Sequence, residues 1–328
     1  MRYVIIGGSA AAIGCIEGIR SVDKTGEIIL ITGETEWNYS RPLISYLLEG
    51  KTTRDKMWCR PDSFFTRNGV TVKAGVLATA LDAGDRTVRL STGERLAYDR
   101  LLAATGSRPF VPPIPGLETV ERTFCFQTLS DASALAEALR PESRVLILGA
   151  GLTGVKCAEG IRGLCAQIAI ADLAPRVLPA VLDDTAAAMV QARMEEKGVR
   201  FYLNDSAAAF RGNTARLQSG TELEFDVLVT AVGVRPNTQL VADAGGAVDR
   251  GILVDGRCAT TLPDVYAAGD CAQGYDAVSG EKRMLPLWPN AMLQGGHQHG
   301  GRPRRLHAGH CPQRFGRVRP AHGYGGQL

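Results

Sequence analysis

The 328-residue chain lacks any run of about eighteen apolar residues, so it offers no candidate membrane span. It also lacks a charged and apolar leader; its first residues read directly as a strand, which makes the cytoplasm the expected compartment. Eight cysteines stand at 15, 59, 125, 157, 165, 258, 271 and 311, but no C-x-x-C occurs. The nearest pair, Cys157 and Cys165, is too loosely spaced for a zinc or thioredoxin-like motif, so the thiols are expected to be buried small hydrophobes and no metal site is expected. Acid is absent from residues 295–328, which hold six arginines and all five histidines. The rest of the chain carries 31 basic against 34 acidic side chains, a mildly acidic body in which nothing calls for a nucleic-acid partner.

What is present is an ordinary globular composition, 45% hydrophobic and 22% charged, at a length that suits two domains. In mid-chain, "SRVLILGAGLTGVKCAEG" runs from an apolar strand into Gly149, Gly151 and Gly154 and then a helix. Glycines at that spacing serve a tight turn, close backbone approach to a pyrophosphate, and close packing of helix on strand; the helix N-terminus then faces the phosphates. The chain opens on the same pattern, "RYVIIGGSAAAIGCIEGIR", with Gly7, Ser9 and Ala12 at the three positions. Two such units suggest two dinucleotides, and a chain that holds two redox dinucleotides moves a hydride between them.

Acids follow the second strand of each unit. Glu34 closes "EIILITGE" and Asp172 closes "QIAIAD". Each is placed to accept from a ribose 2′-OH, and an aspartate there repels a 2′-phosphate, so NADH is expected over NADPH. On position alone, Glu34 is equally a solvated turn carboxylate. An antiparallel excursion follows the first unit, and "RPFVPPIPG" reads as a stiff connection. The helix "SDASALAEALR" is expected to be capped by Ser130 or Asp131.

Five segments in order, the N-terminal loop, "LLAATG", "GAGLTG", "VTAVGVRPN" and "VYAAGD", resemble the pyridine nucleotide-disulfide oxidoreductases over Met1 to about Gln294. The resemblance implies an α/β fold with two Rossmann-like dinucleotide-binding domains, glutathione reductase-like, the FAD domain being discontinuous and the C-terminal interface domain absent. It divides the chain into 1–112 and 239–294 for FAD and an inserted 113–238 for NAD. It also implies FAD contacts at Gly7, Ser9, Ala10, Ala11, Ala12, Glu34, Arg41, Pro42, Ala78, Thr105, Gly106, Gly269, Asp270 and Trp288. Contacts with NADH are implied at Gly149, Gly151, Leu152, Thr153, Gly154, Asp172 and Gly233. Gln127 stands where relatives often carry an arginine toward FAD.

Disulfide reductases of this class keep their active cysteine near "NYSRPLISYLLEGK", where this chain has Arg41 to Ser45 and no cysteine between Cys15 and Cys59. The pattern is similar to the branch of rubredoxin and ferredoxin reductases, nitrite reductase flavin modules and NADH-linking subunits. That branch implies an FAD-dependent NADH:acceptor oxidoreductase whose partner is a rubredoxin, ferredoxin or iron–sulfur protein or subunit, with no catalytic side chain demanded. An NADH oxidase reducing dioxygen is the second reading, and a non-catalytic flavin-binding or truncated inactive product the third. The basic segment 295–328 is expected to be disordered, and its codons permit an apolar helix in the next reading frame, which suggests a frameshift near Gln294. Without an interface domain, a homodimer is not expected.

Overall fold

The computed structural model describes residues 1–276 and 279–297; the expectations for the remainder of the basic tail lie outside those residues. In chain order the elements that matter are β1 (Arg2–Ile6), α1 (Ala10–Val22), β2 (Glu27–Thr32), α2 (Ile44–Leu48), β3 (Arg100–Ala103), β4 (Thr123–Phe124) and α3 (Leu129–Ala138). There follow β5 (Arg144–Leu148), α4 (Leu152–Ile161), β6 (Gln167–Asp172), α5 (Asp184–Glu195), β7 (Val199–Leu203), β8 (Val227–Thr230), β9 (Val265–Ala267) and α6 (Trp288–His297).

Contacts divide the chain into two units. The first is built from Met1–Leu30, Leu77–Ala104 and Thr238 onward, the second from Ile31–Val76 and Thr105–Asn237. Residues 31–76 group with the central segment because Ile44 on α2 joins a core that includes Ala158 and Ile161 of α4 and Leu135 of α3.

In the first unit the strand order is β9-β3-β1-β2, with β1 and β9 both parallel to β3. The apolar run Val4 to Ile6 and Leu101 to Ala103 is buried, as expected of parallel strands covered on both faces. An antiparallel sheet of Ala78–Asp82, Thr87–Leu90 and Arg95–Ala97 forms the expected excursion.

The α1 helix is backed by α6 through small residues. A Cβ on Gly14 would lie 2.1 Å from the Met292 carbonyl oxygen, and one on Gly295 would lie 2.0 Å from that of Ala11. Glycine here lets two helix backbones touch. The α6 helix therefore continues to His297, three residues into the segment that composition assigns to a disordered tail.

In the second unit five parallel strands run in the order β7-β6-β5-β8-β4. Val145, Ile147, Ile168, Ile170, Val227 and Val229 form its core with Ala158 and Ile161 of α4. The α3 helix is capped two to three residues earlier than the sequence suggests, by Thr128. Its hydroxyl accepts from Asp131 N–H at 3.0 Å while Asp131 accepts from Thr128 N–H at 2.8 Å. Ser130 and Asp131 are thus inside the helix; the reciprocal bonds of a capping box favour threonine at the boundary. Among the described residues no helix is long and apolar enough to cross a membrane, and no group of three metal-ligating side chains occurs.

Candidate functional site: two nucleotide loops

In the first unit, β1 delivers the chain to Gly7, whose φ of +116° and 2.0 Å approach of a would-be Cβ to the Ala104 carbonyl oxygen exclude any other residue. Ser9 stands at the N-cap in an extended conformation, with no side-chain capping bond. Its carbonyl accepts from Ala12 and Ile13 N–H at 3.0 and 3.2 Å, and Ala10, Ala11 and Ala12 are buried.

The structure brings the "AAGD" loop to the same place. A Cβ on Gly269, at φ +79°, would lie 3.5 Å from the Ala11 methyl. Gly269 N–H donates to Gln294 Oε1 at 2.9 Å, so α6 holds that loop from behind. Asp270 follows in a short 3₁₀ turn, and Trp288 opens α6 with 40% of its surface exposed. Ala78 is paired with Leu90 in the antiparallel sheet.

In the second unit Gly149 repeats the part of Gly7: φ is +107°, and a Cβ would lie 2.3 Å from the Ala231 carbonyl oxygen. Gly151 caps α4 in extended geometry and has open space where a Cβ would stand. Gly154 closes the turn, since its Cβ would lie 1.9 Å from Gly149 O. Leu152 and Thr153 are exposed beside it, and Gly233 is open at φ +112°. Asp172 belongs to this loop, accepting from Ala150 N–H at 2.5 Å and Ala174 N–H at 2.7 Å. One carboxylate thus ties the end of β6 to the glycine turn.

Also in the second unit, Glu34 is engaged by Arg41 Nη2 on one oxygen and by the Tyr39 hydroxyl, at 2.6 Å, on the other. Arg41 Nη1 donates to the Gln127 carbonyl at 3.0 Å. Gln127 turns its amide to Ser107, while its Oε1 is buried without a partner. Pro42 sits in the first turn of a 3₁₀ helix just after Ser40. Thr105 and Gly106 are stitched to Asn237: Thr105 Oγ1 donates to Asn237 O at 2.6 Å, Asn237 Nδ2 to Thr105 O at 2.9 Å, and Asn237 N–H to Gly106 O at 2.9 Å.

Tyr39, Gln294 and Asn237 are the polar residues that sequence reasoning does not single out. Tyr39 and Asn237 lie inside quoted motifs, and a polar side chain within such a motif is the signal that could have found them.

Both loops have what a pyrophosphate needs: forced glycine at the turn, the smallest side chains beside it, and helix N–H groups with no intrahelical acceptor. Two such loops, each at the carboxyl end of a central strand of a parallel sheet, define a two-dinucleotide oxidoreductase fold. The chain belongs to the pyridine nucleotide-disulphide oxidoreductase family, whose model matches residues 1–295. It is accordingly an oxidoreductase with FAD and NAD(H) as cofactors.

It is similar to the NADH-dependent phenylglyoxylate dehydrogenase subunit epsilon of Aromatoleum evansii, 33% identical over 90% of this chain and 70% of that one. It is 31% identical to the assimilatory nitrate reductase electron transfer subunit of Bacillus subtilis (strain 168), over 90% of this chain but only 39% of the larger relative. The putidaredoxin reductase in the covalent putidaredoxin reductase–putidaredoxin complex superposes with a TM-score of 0.84 at 26% identity, over 91% of this chain and 74% of that one.

Proposed function

We propose that the chain takes electrons from NADH through FAD to a redox protein or subunit of rubredoxin, ferredoxin or iron–sulfur type. The observation that carries this reading is the pair of glycine loops, each built on its own parallel sheet within one chain. In the first unit Gly7, Ser9, Ala10, Ala11, Ala12, Gly269 and Asp270 would hold FAD, joined in the reading by Ala78 and Trp288. In the second unit Gly149, Gly151, Leu152, Thr153, Gly154, Asp172 and Gly233 would hold NADH. Glu34 would take the adenosine ribose of FAD, and Arg41, Pro42, Thr105 and Gly106 are assigned to the same cofactor.

The chemistry such a cofactor pair supplies when bound is hydride transfer from nicotinamide to flavin N5, followed by release of electrons to an acceptor. The chain's own part is orientation and charge. The glycines admit the phosphates to the backbone, and helix N-termini offset their negative charge. Asp172 keeps the NADH loop closed through Ala150 N–H and presents a carboxylate that a 2′-phosphate would meet with repulsion. Ser45, where disulfide reductases place reactive sulfur nearby, is a buried hydroxyl, which favours an external acceptor over a thiol relay.

The electron-transfer subunit and the reductase–putidaredoxin complex named above support a protein acceptor. A reducing compartment such as the cytoplasm suits the seven cysteines of the described residues, none of which is in a disulfide.

The test is anaerobic mixing of the FAD-loaded protein with NADH while flavin absorbance is followed. Rapid bleaching with NADH and slow bleaching with NADPH is the expected outcome; bound flavin that does not bleach overturns the reading. Fast peroxide formation in air without a protein acceptor would favour an NADH oxidase instead.

A further inference from the structure

The hydroxyl of Tyr39 joins three segments of the second unit. It donates to Glu34 Oε2 at 2.6 Å, accepts the main-chain N–H of Leu129 at 3.0 Å, and accepts Nη1 of Arg41 at 3.3 Å. A tyrosine hydroxyl has one proton to give and two lone pairs to offer, so its capacity is fully used. The ring is 3% exposed, and the Arg41 guanidinium carbon lies 5.4 Å from its centroid. Leu129 is the first residue of α3, so the Tyr39 oxygen accepts one of the N–H groups that helix geometry leaves without a partner. The Tyr39 ring itself sits in the same core cluster as Leu129 and Leu135.

This arrangement fixes Glu34 without using it up. Tyr39 and Arg41 each take one lone pair on different oxygens of a carboxylate that has about four, and the side chain keeps 33% of its surface exposed. A carboxylate on a surface turn ordinarily samples several rotamers, and reading one hydroxyl requires one of them. Arg41 supplies charge and a second donor from a long arm whose side chain is 33% exposed. Tyr39 supplies the rigid reference, because its ring is locked in the core and its oxygen is locked to a helix N-terminus.

We propose that Tyr39 is a positioning residue for ribose recognition: by tying Glu34 to the start of α3, it aims the carboxylate's remaining lone pairs at the adenosine 2′-hydroxyl of FAD. The inference rests on the reading that Glu34 receives that ribose. It makes the selectivity for an intact adenosine ribose depend on a side chain that need not touch the cofactor.

The experiment is a binding cycle on the full chain, following the fluorescence of FAD and of its 2′-deoxyadenosine analogue as apoprotein is added. The wild-type chain is expected to prefer FAD by about tenfold, the size of one hydrogen bond to a charged group. Tyr39→Phe keeps the ring in the core and is expected to reduce that preference to less than about threefold, chiefly by weakening FAD. Glu34→Gln is expected to lower it similarly, and adding Tyr39→Phe to Glu34→Gln should change it no further.

A Tyr39→Phe chain that weakens both ligands by the same factor, with the preference intact, makes the hydroxyl merely structural and overturns the proposal. So does a variant that no longer melts in one cooperative transition. A wild-type chain that binds FAD and its analogue equally overturns the role of Glu34 and with it that of Tyr39. One that binds neither overturns the FAD reading itself.

Discussion

At Gly7 and at Gly149 the chain makes the same turn: a buried strand ends, φ swings to +116° or +107°, and a Cβ would strike the carbonyl oxygen beyond a neighbouring strand, of Ala104 or Ala231. Five residues on, the two loops part. Gly154 has no room for a methyl group, 1.9 Å from Gly149 O, whereas Ala12 carries one and is fully buried. The first loop thus keeps small residues in its turn but spends glycine on the far side of its helix, where Gly14 and Gly18 meet Met292 and Gly296. The second helix is backed more loosely, since a Cβ on Gly160 would stand 3.0 Å from Ser45 O. The lesson is that a departure from the three-glycine pattern need not open the loop, because the helix can be seated by packing behind it.

The sharpest way to break the comparison is to substitute its common element. Gly149→Ala is expected to slow NADH-driven bleaching by about 100-fold or more in stopped flow, with FAD retained, because strain and clash together cost about 3 kcal/mol or more. Gly7→Ala is expected to give the mirror result, protein purified with little flavin, read as the ratio of flavin to protein absorbance.

Next comes Gly295→Leu, which removes the close approach that only the first helix uses. It is expected to destabilise the first unit by about 3 kcal/mol, seen as a lower melting temperature and weaker FAD retention. The loops can also be exchanged at the position where they differ. Gly154→Ala is expected to raise the KM for NADH about tenfold, whereas Ala12→Gly costs only about 1 kcal/mol of stability through helix propensity. A smaller effect is expected of Asp172→Asn: bleaching rates with NADH and NADPH should move about tenfold closer together as a charge-assisted bond is weakened.

The smallest effect concerns a likeness between the loops. Each helix buries a cysteine eight residues after its first glycine, Cys15 and Cys157. Burial holds both thiols above their ordinary range and pushes Cys165 up to about 11. A raised folded value means that the native state keeps its proton longer. These thiols therefore contribute stability below the ordinary value of 9.0 that is lost as pH rises through the folded values. Denaturant midpoints should fall between pH 9 and 11, and iodoacetamide at pH 8 should label Cys15 and Cys157 about 100-fold more slowly than a free thiol.

The strands and both turns were legible in the sequence because apolar runs and fixed glycine spacing are local patterns. Gly14, Gly18 and Gly295 were not, since glycine inside a helix reads as a weakness until the opposing helix is known. The same ignorance made residues 295–297 read as the start of a tail rather than the last turn of α6. Tyr39, Gln294 and Asn237 escaped notice because each acts through partners tens of residues away or more, Leu129, Gly269 and Thr105, and no spacing rule connects them. Thr128 was passed over as a cap because Ser130 and Asp131 offer the same chemistry two and three residues later.

The hydrogen bonds between Asn237 and Thr105–Gly106 bear on how such a chain can be rearranged. The segment 105–237 begins and ends on the same short ladder, so its two ends are neighbours. A segment whose ends meet can be cut out, permuted or exchanged for a homologue with a linker of a few residues. Grafting a 105–237 segment of altered nucleotide preference is therefore a two-junction operation, with Thr105 and Asn237 as the seam.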